Sequence, residues 1–120
     1  MNRKLTEFEH AYVVCALWSS TDDNGYPLSD NCDITDIADE TLETMKADCQ
    51  DFQRANVGFL AQCGLTDEQA GHDFWLTRNR HGTGFWDRGL GEVGDKLSDA
   101  ARVYGGFDLY VGDDGTVYGQ

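Results

Sequence analysis

The chain has 120 residues, 22 Asp and Glu against 9 Lys and Arg, and a formal net charge of −13. That balance excludes a basic face for nucleic acid or anionic membrane, while 40% hydrophobic and 12% aromatic residues suffice for one core without staples. The expectation is a single domain over 1–120, with a helical acidic half at 1–64 and a hairpin-helix-hairpin half at 65–120.

Thr6-Glu7-Phe8-Glu9 has the S/T-x-x-E pattern in which hydroxyl and carboxylate each satisfy an orphan backbone N–H, so a first helix is predicted from about Glu7 to Trp18. The run Ala11 to Trp18 is apolar on all sides, which suits a helix covered by neighbours. It is eight residues long where a membrane span needs about 20. The start Met1-Asn2-Arg3-Lys4 lacks the apolar stretch of a signal peptide, so the expected setting is soluble and cytoplasmic. Ser19 to Cys32 reads as a loop around Asp22-Asp23-Asn24-Gly25 and Pro27.

A second helix is predicted from Asp33 or Thr35 to Cys63. Ala38, Leu42, Met45, Cys49, Phe52, Asn56, Phe59 and Cys63 recur at steps of four and three, and Gly64 stands where a C-cap belongs. Asp36, Glu40, Glu43 and Asp51 fall on the opposite side. Thr66-Asp67-Glu68-Gln69 is a further capping box, expected to open only a short helical turn ending near Gly71. Phe74-Trp75-Leu76-Thr77-Arg78 and Thr83-Gly84-Phe85-Trp86-Asp87 then read as the strands of a hairpin about Asn79-Arg80-His81-Gly82. A third helix is predicted from about Glu92 to Tyr104, and a second hairpin turns at Asp113-Asp114-Gly115. The fold class expected is α+β, two to three helices packed on a small antiparallel sheet built from two β-hairpins.

Two segments carry candidate chemistry. Residues 22–51 hold Asp22, Asp23, Asp30, Asp33, Asp36, Asp39, Glu40, Glu43, Asp48 and Asp51 against one cation, Lys46. On a helix, Asp36 to Asp51 would rise about 22 Å as a rigid row of charge, commensurate with nucleic-acid phosphates and suited to a basic groove. The plainer reading is a solvated face that confers solubility. No calcium site is expected, because neither acidic turn continues into the EF-hand spacing. The second segment gathers His72, Asp73, Arg78, His81, Asp87 and Arg88 among four aromatics. A hairpin there would bring a His/Asp pair together for acid–base work or ligand binding, although no complete catalytic motif is present. Its plainer reading is a packed hairpin with cross-strand Arg/Asp pairs and a buried Phe74 or Trp75, Phe85 or Trp86, and Leu109. Cys15, Cys32, Cys49 and Cys63 form no C-x-x-C pair and are expected as free thiols, with no cofactor implied.

His72 to Arg88, continued by Gly89-Leu90-Gly91, Gly94-Asp95-Lys96-Leu97, Ala100-Ala101 and Asp108 to Gly115, resembles a family of short acidic proteins of bacteriophages and other mobile elements. The resemblance covers about the last fifty residues and implies a genomic setting rather than an activity. In size and charge the chain is similar to inhibitors of CRISPR complexes and restriction enzymes. The function expected is therefore a non-enzymatic anti-defence inhibitor that presents its acidic face to the basic channel of a host CRISPR effector or restriction enzyme. It would have no direct contact with nucleic acid or membrane, and a homodimer is compatible with the sequence. The alternatives are a small enzyme or ligand binder at the His72–Arg88 segment, and a phage structural adaptor.

Overall fold

The computed structural model describes residues 4–120; Met1, Asn2 and Arg3, which belong to the expected leaderless start, lie outside the described residues. The first helix, α1 (Glu7–Ser19), ends within one residue of expectation. Its capping box is formed on both sides. Thr6 Oγ1 accepts from the Glu9 N–H at 3.1 Å, and Glu9 Oε1 accepts from the Thr6 N–H at 2.9 Å. Buried Glu9 also takes a bond from Gln50 Nε2 at 2.9 Å, so the cap ties α1 to the acidic helix.

The expected single helix from Asp33 to Cys63 is three pieces. A 3-10 turn, Ile34–Asp36, is followed by α2 (Asp39–Ala55) and α3 (Val57–Cys63). The turn is separate because Asp33 and Asp36 cap it reciprocally, a local bonding pattern that competes with continuous helix. The break at Asn56 has the same origin. The Phe52 carbonyl accepts both the Asn56 backbone N–H at 3.1 Å and its side-chain Nδ2 at 2.9 Å, closing α2 there, while the Asn56 carbonyl starts α3 by accepting from Leu60 N–H. Of the expected stripe, Leu42, Met45, Cys49, Phe52, Asn56 and Cys63 are buried, Ala38 is half-buried and Phe59 is exposed beyond the break, and Gly64 closes α3 at φ 73°.

The α+β expectation with two hairpins is overturned. Five α-helices are present among the described residues, with a single two-stranded sheet. Phe74 to Arg78 is not a strand but the end of α4 (Asp67–Arg78), which opens on the expected Thr66/Gln69 capping box and runs through Gly71. Gly71 does not stop this helix, because it is the point where α4 crosses α1. A Cβ there would sit 2.1 Å from the Phe8 carbonyl oxygen, so glycine is required for close approach rather than for a turn. The other supposed strand is a loop around the 3-10 turn Phe85–Asp87. Phe85 enters the core from it, with its backbone N–H held by Thr77 Oγ1 at 3.2 Å. Of the residues expected inside, Phe74, Trp75, Phe85 and Leu109 are buried, while Trp86 is 46% exposed. Phe74 and Trp75 are buried from a helix and Phe85 from a 3-10 turn, and only Leu109 lies on a strand.

The third expected helix is α5 (Glu92–Arg102). The terminal hairpin is present as β1 (Leu109–Val111) and β2 (Val117–Gly119), antiparallel with Tyr110 opposite Tyr118. Ala38 N–H donates to the Val117 carbonyl at 2.9 Å, which moors β2 beside the start of α2. One aromatic stack organises the core: Phe52 and Phe74 lie 4.1 Å apart at 12°, with Tyr12, Phe85 and Tyr104 packed around them.

Candidate functional site

The ten carboxylates of the acidic segment divide by what holds them. Asp22 accepts from the backbone N–H groups of Asn24 and Tyr26 at 2.9 and 3.0 Å and shapes its own turn. Asp33 accepts from Thr35, whose hydroxyl and N–H hold its carboxyl below the ordinary range, and Asp36 accepts from Asp33 N–H at 2.8 Å. Asp48 reaches an inward partner, whereas Asp51 stays on the surface and bonds to neighbours there. Asp48 Oδ2 is 2.8 Å from Arg78 Nη1, and Asp51 accepts from the Tyr104 hydroxyl, with Arg54 3.5 Å away. Burial, aided by Asp51, pushes the Tyr104 phenol up. The expected continuous row from Asp36 to Asp51 is thus interrupted: Asp36 is drawn into its own turn and Asp48 is turned to Arg78. Asp23, Asp30, Asp39, Glu40 and Glu43 are exposed on the loop and the first turns of α2, as are Asp33 at its 3-10 turn and Asp51 further along the helix. Lys46, the one cation of the segment, is 3.8 Å from Glu43.

The residues of the second segment are not brought to one place. Arg78 is 4% exposed and is saturated by the interior: Nε donates to the Gly105 carbonyl at 2.9 Å, Nη1 to Tyr12 Oη at 3.0 Å and to Asp48, and Nη2 to the Tyr104 carbonyl at 3.1 Å. Burial alone would pull its pKa down, but Tyr12 and Asp48 outweigh it and hold the guanidinium charged. The Tyr12 phenol is itself pushed up by burial, against the pull of Arg78. Asp73 is buried and pairs with Arg88, which reaches it through both Nε and Nη2, the latter at 3.1 Å. Hydrogen bonding to Asp73 raises the Arg88 pKa. His72 is half-buried, its ring stacked 5.8 Å from Trp18 and its Nδ1 3.7 Å from Asp73 Oδ1. Beside them lies a cleft of about 230 Å³ bordered by His10, Val14, Glu68, His72 and Arg88. His81 is exposed and donates its backbone N–H to Leu76. Asp87 caps its own turn by accepting from Gly84 N–H at 3.0 Å, and that bond, with the Thr83 hydroxyl, lowers its pKa.

Only His72, Asp73 and Arg88 of the six therefore meet. Among the described residues no three His, Cys, Asp or Glu side chains converge as a metal site needs, and no helix is long and apolar enough to cross a membrane. All four cysteines are unlinked, and burial pushes the Cys15 thiol up to about 12. Sequence reasoning missed two features. One is the internal Tyr12–Asp48–Arg78 network, whose only linear signal is a lone arginine closing an apolar run. The other is the aromatic pair Tyr110 and Tyr118, with ring centroids 5.9 Å apart, which needed the hairpin register to be seen. No family model matches the chain, and neither a curated protein nor a solved structure matches it.

Proposed function

We propose that the protein is a non-enzymatic anti-defence inhibitor of phage or mobile-element origin. It acts in the cytoplasm of the host bacterial cell by occupying the basic nucleic-acid channel of a CRISPR effector or restriction enzyme. The observation that carries this reading is the exposed set Asp23, Asp30, Asp39, Glu40 and Glu43 on a segment whose single cation sits beside one of its own carboxylates. Fixed negative charge on a packed scaffold gives a basic channel a competitor for nucleic-acid phosphates whose ordering cost is already met in folding. Carboxylate–arginine pairs desolvated in the channel would supply specificity, and the net charge of −13 would speed encounter.

The alternative centred on His72 to Arg88 has less to build on. Arg78 is committed to the interior, Asp87 and His81 lie apart, and what remains is one ion pair beside a stacked histidine.

The test is affinity capture from host lysate at low and high salt, followed by affinity measurement with the recovered protein. Surface pairing predicts binding that weakens steeply with salt. Reversing Asp23, Asp30 and Glu43 together to Lys should cost about a thousandfold, since close interfacial charge pairs contribute about 1.5 kcal/mol or more each. Reversing Asp99 and Asp113 instead should alter only the encounter rate. Undiminished binding by the first triple variant would end the acidic-face reading.

A further inference from the structure

The start of α2 and the terminal hairpin enclose a groove of about 210 Å³ whose walls are Glu40, Thr41, Thr44, Phe107, Tyr110 and Tyr118. Its construction is specific. Gly119 forms part of the lining, and a Cβ there would fall 2.4 Å from the Phe107 ring and 3.0 Å from Thr41 Cγ2, so the missing side chain lets these two residues close the floor. Thr41 Oγ1 accepts from Gly119 N–H at 3.2 Å, which stitches the helix to the strand across the base. Tyr118 donates its hydroxyl to Asp114 Oδ2 at 2.8 Å, an anchor that fixes the plane of its ring. Tyr110, directly opposite in the strand register, is 44% exposed, and the two rings lie at 30° to each other.

The charged chemistry of the walls is of one sign. Glu40 brings an exposed carboxylate, and Thr44 spends its hydroxyl hydrogen on the Glu40 carbonyl at 3.1 Å, which leaves only its lone pairs for an incoming group. Among the described residues no lysine or arginine lines the groove. Aromatic faces beside acceptors attract a cation, and a planar one that stacks on tyrosine while directing a fork of N–H groups at a carboxylate satisfies both.

We propose that this groove is the anchor site for an arginine side chain of the basic partner, a proposal that rests on the acidic-face reading above. The guanidinium lies against the Tyr110 and Tyr118 rings and donates to Glu40. Arginine is favoured over lysine because the ammonium is compact, more strongly hydrated and has no face to stack.

The probe is the tripeptide acetyl-Gly-Arg-Gly-amide, titrated into isotope-labelled protein and followed by NMR, with its lysine and citrulline counterparts as comparisons. The expected result is shifts confined to Glu40, Thr41, Thr44, Tyr110, Tyr118 and Gly119, with an upfield ring-current shift of the arginine δ protons. The lysine peptide should bind more weakly, and neutral citrulline should give none of these shifts. Tyr110→Ala should weaken the arginine peptide by about two- to fivefold, the range of an exposed cation–π contact. Glu40→Gln, which keeps the shape of the wall, should weaken it as well, and Asp23→Asn should not. Shifts spread over the whole acidic segment without the ring-current signature, equal binding of lysine, or an unchanged affinity in Tyr110→Ala would each overturn the site. The two readings fail differently. A captured partner that is lost by the Asp23, Asp30 and Glu43 reversal but held unchanged by Tyr110→Ala leaves the acidic face and removes the groove. An arginine peptide docked in the groove while the triple reversal binds the partner normally leaves the groove and removes the acidic face.

Discussion

Helices α2 and α4, of 17 and 12 residues, are opposite in what surrounds them, and the contrast explains most of the molecule. α2 has one wet face and one dry one: Leu42, Met45, Cys49 and Phe52 are buried, while Glu40, Glu43 and Asp51 are exposed. α4 has an exposed first turn at Asp67, Glu68 and Gln69, after which every residue from Asp73 to Arg78 is buried. The dry stretch includes an aspartate, a threonine and an arginine, each given a partner inside the protein. A helix that is covered all round has no period to display, and its polar residues become the joints of the core.

The sharpest way to break the comparison is at Arg78. Removing a partner from a buried charge network leaves the others unpaired, which typically costs about 3–5 kcal/mol. Arg78→Met should approach that loss in urea unfolding, because Tyr12 Oη and the carbonyls of Tyr104 and Gly105 lose their donor. Asp48 is 28% exposed on its side chain and can recover part of its solvation, so Asp48→Asn should cost less. A loss of under about 1 kcal/mol for Arg78→Met would mean that the network is ornamental, since that is the range of surface pairs.

The thiols distinguish interior from surface by reactivity. Cys15 and Cys49 are buried, and burial raises both pKa values, with Asp73 adding to the effect at Cys15 and Glu9 at Cys49. Cys32 is half-exposed. At pH 8 a thiol reagent should modify Cys32 well before Cys15 and Cys49, which should react only at the rate of unfolding. A raised folded-state pKa stabilises the fold fully below the ordinary thiol value and loses that contribution as pH rises through the folded value. Stability should therefore decline between pH 9.0 and about 12 as the unfolded chain ionises Cys15 first. Cys15→Ser should lessen this decline and leave the share that Cys49 supplies, and an unchanged alkaline limb in that variant would remove Cys15 as a cause.

What was legible in the sequence follows the same division. The capping boxes at Thr6 and Thr66 are local hydrogen-bond patterns and were readable, as were the buried stripe of α2 and the Asp-Gly hairpin. The strand expectation at Phe74 to Arg78 failed because aromatic and β-branched content is a packing preference, which a helix buried on every side satisfies equally well. Gly71 looked like a terminus because the carbonyl it packs against, that of Phe8, is 63 residues away in the chain. The acidic segment was seen as charge but not as structure. Nothing in its composition showed that Asp36 would cap a separate turn, or that Asp48 would leave the surface row for Arg78.

Two glycines put opposite signs on one substitution. Gly71→Ala would gain helix propensity of about 1 kcal/mol but must push a methyl into the Phe8 carbonyl, and overpacking of this kind costs about 1–3 kcal/mol or more. It should destabilise by roughly 2 kcal/mol if the clash overrides the propensity as such overpacking does. Gly58, in the short peripheral helix α3, would direct its Cβ into open space. Gly58→Ala should therefore stabilise by about 0.5 kcal/mol, the propensity gain reduced near a helix end. Two melts decide it, and a stable Gly71→Ala protein would contradict the close crossing of α1 and α4.

The smallest effect on folding is expected where the largest effect on binding is proposed. Asp23, Asp30 and Glu43 are exposed, and Glu43 has only a surface pairing with Lys46 at 3.8 Å. Exposed pairs of this kind contribute about 0–1 kcal/mol, so reversing all three to Lys removes little that holds the fold together. The reversal also relieves repulsion in a chain of net charge −13, a gain that opposes the lost pairing. The triple variant should unfold within about 1 kcal/mol of the parent in low salt, and the difference should shrink further as salt screens both contributions. A loss of several kcal/mol would show that the acidic face is part of the architecture. A near-neutral melt would mean that these carboxylates can be reversed without cost to the fold, as a surface kept for a partner requires.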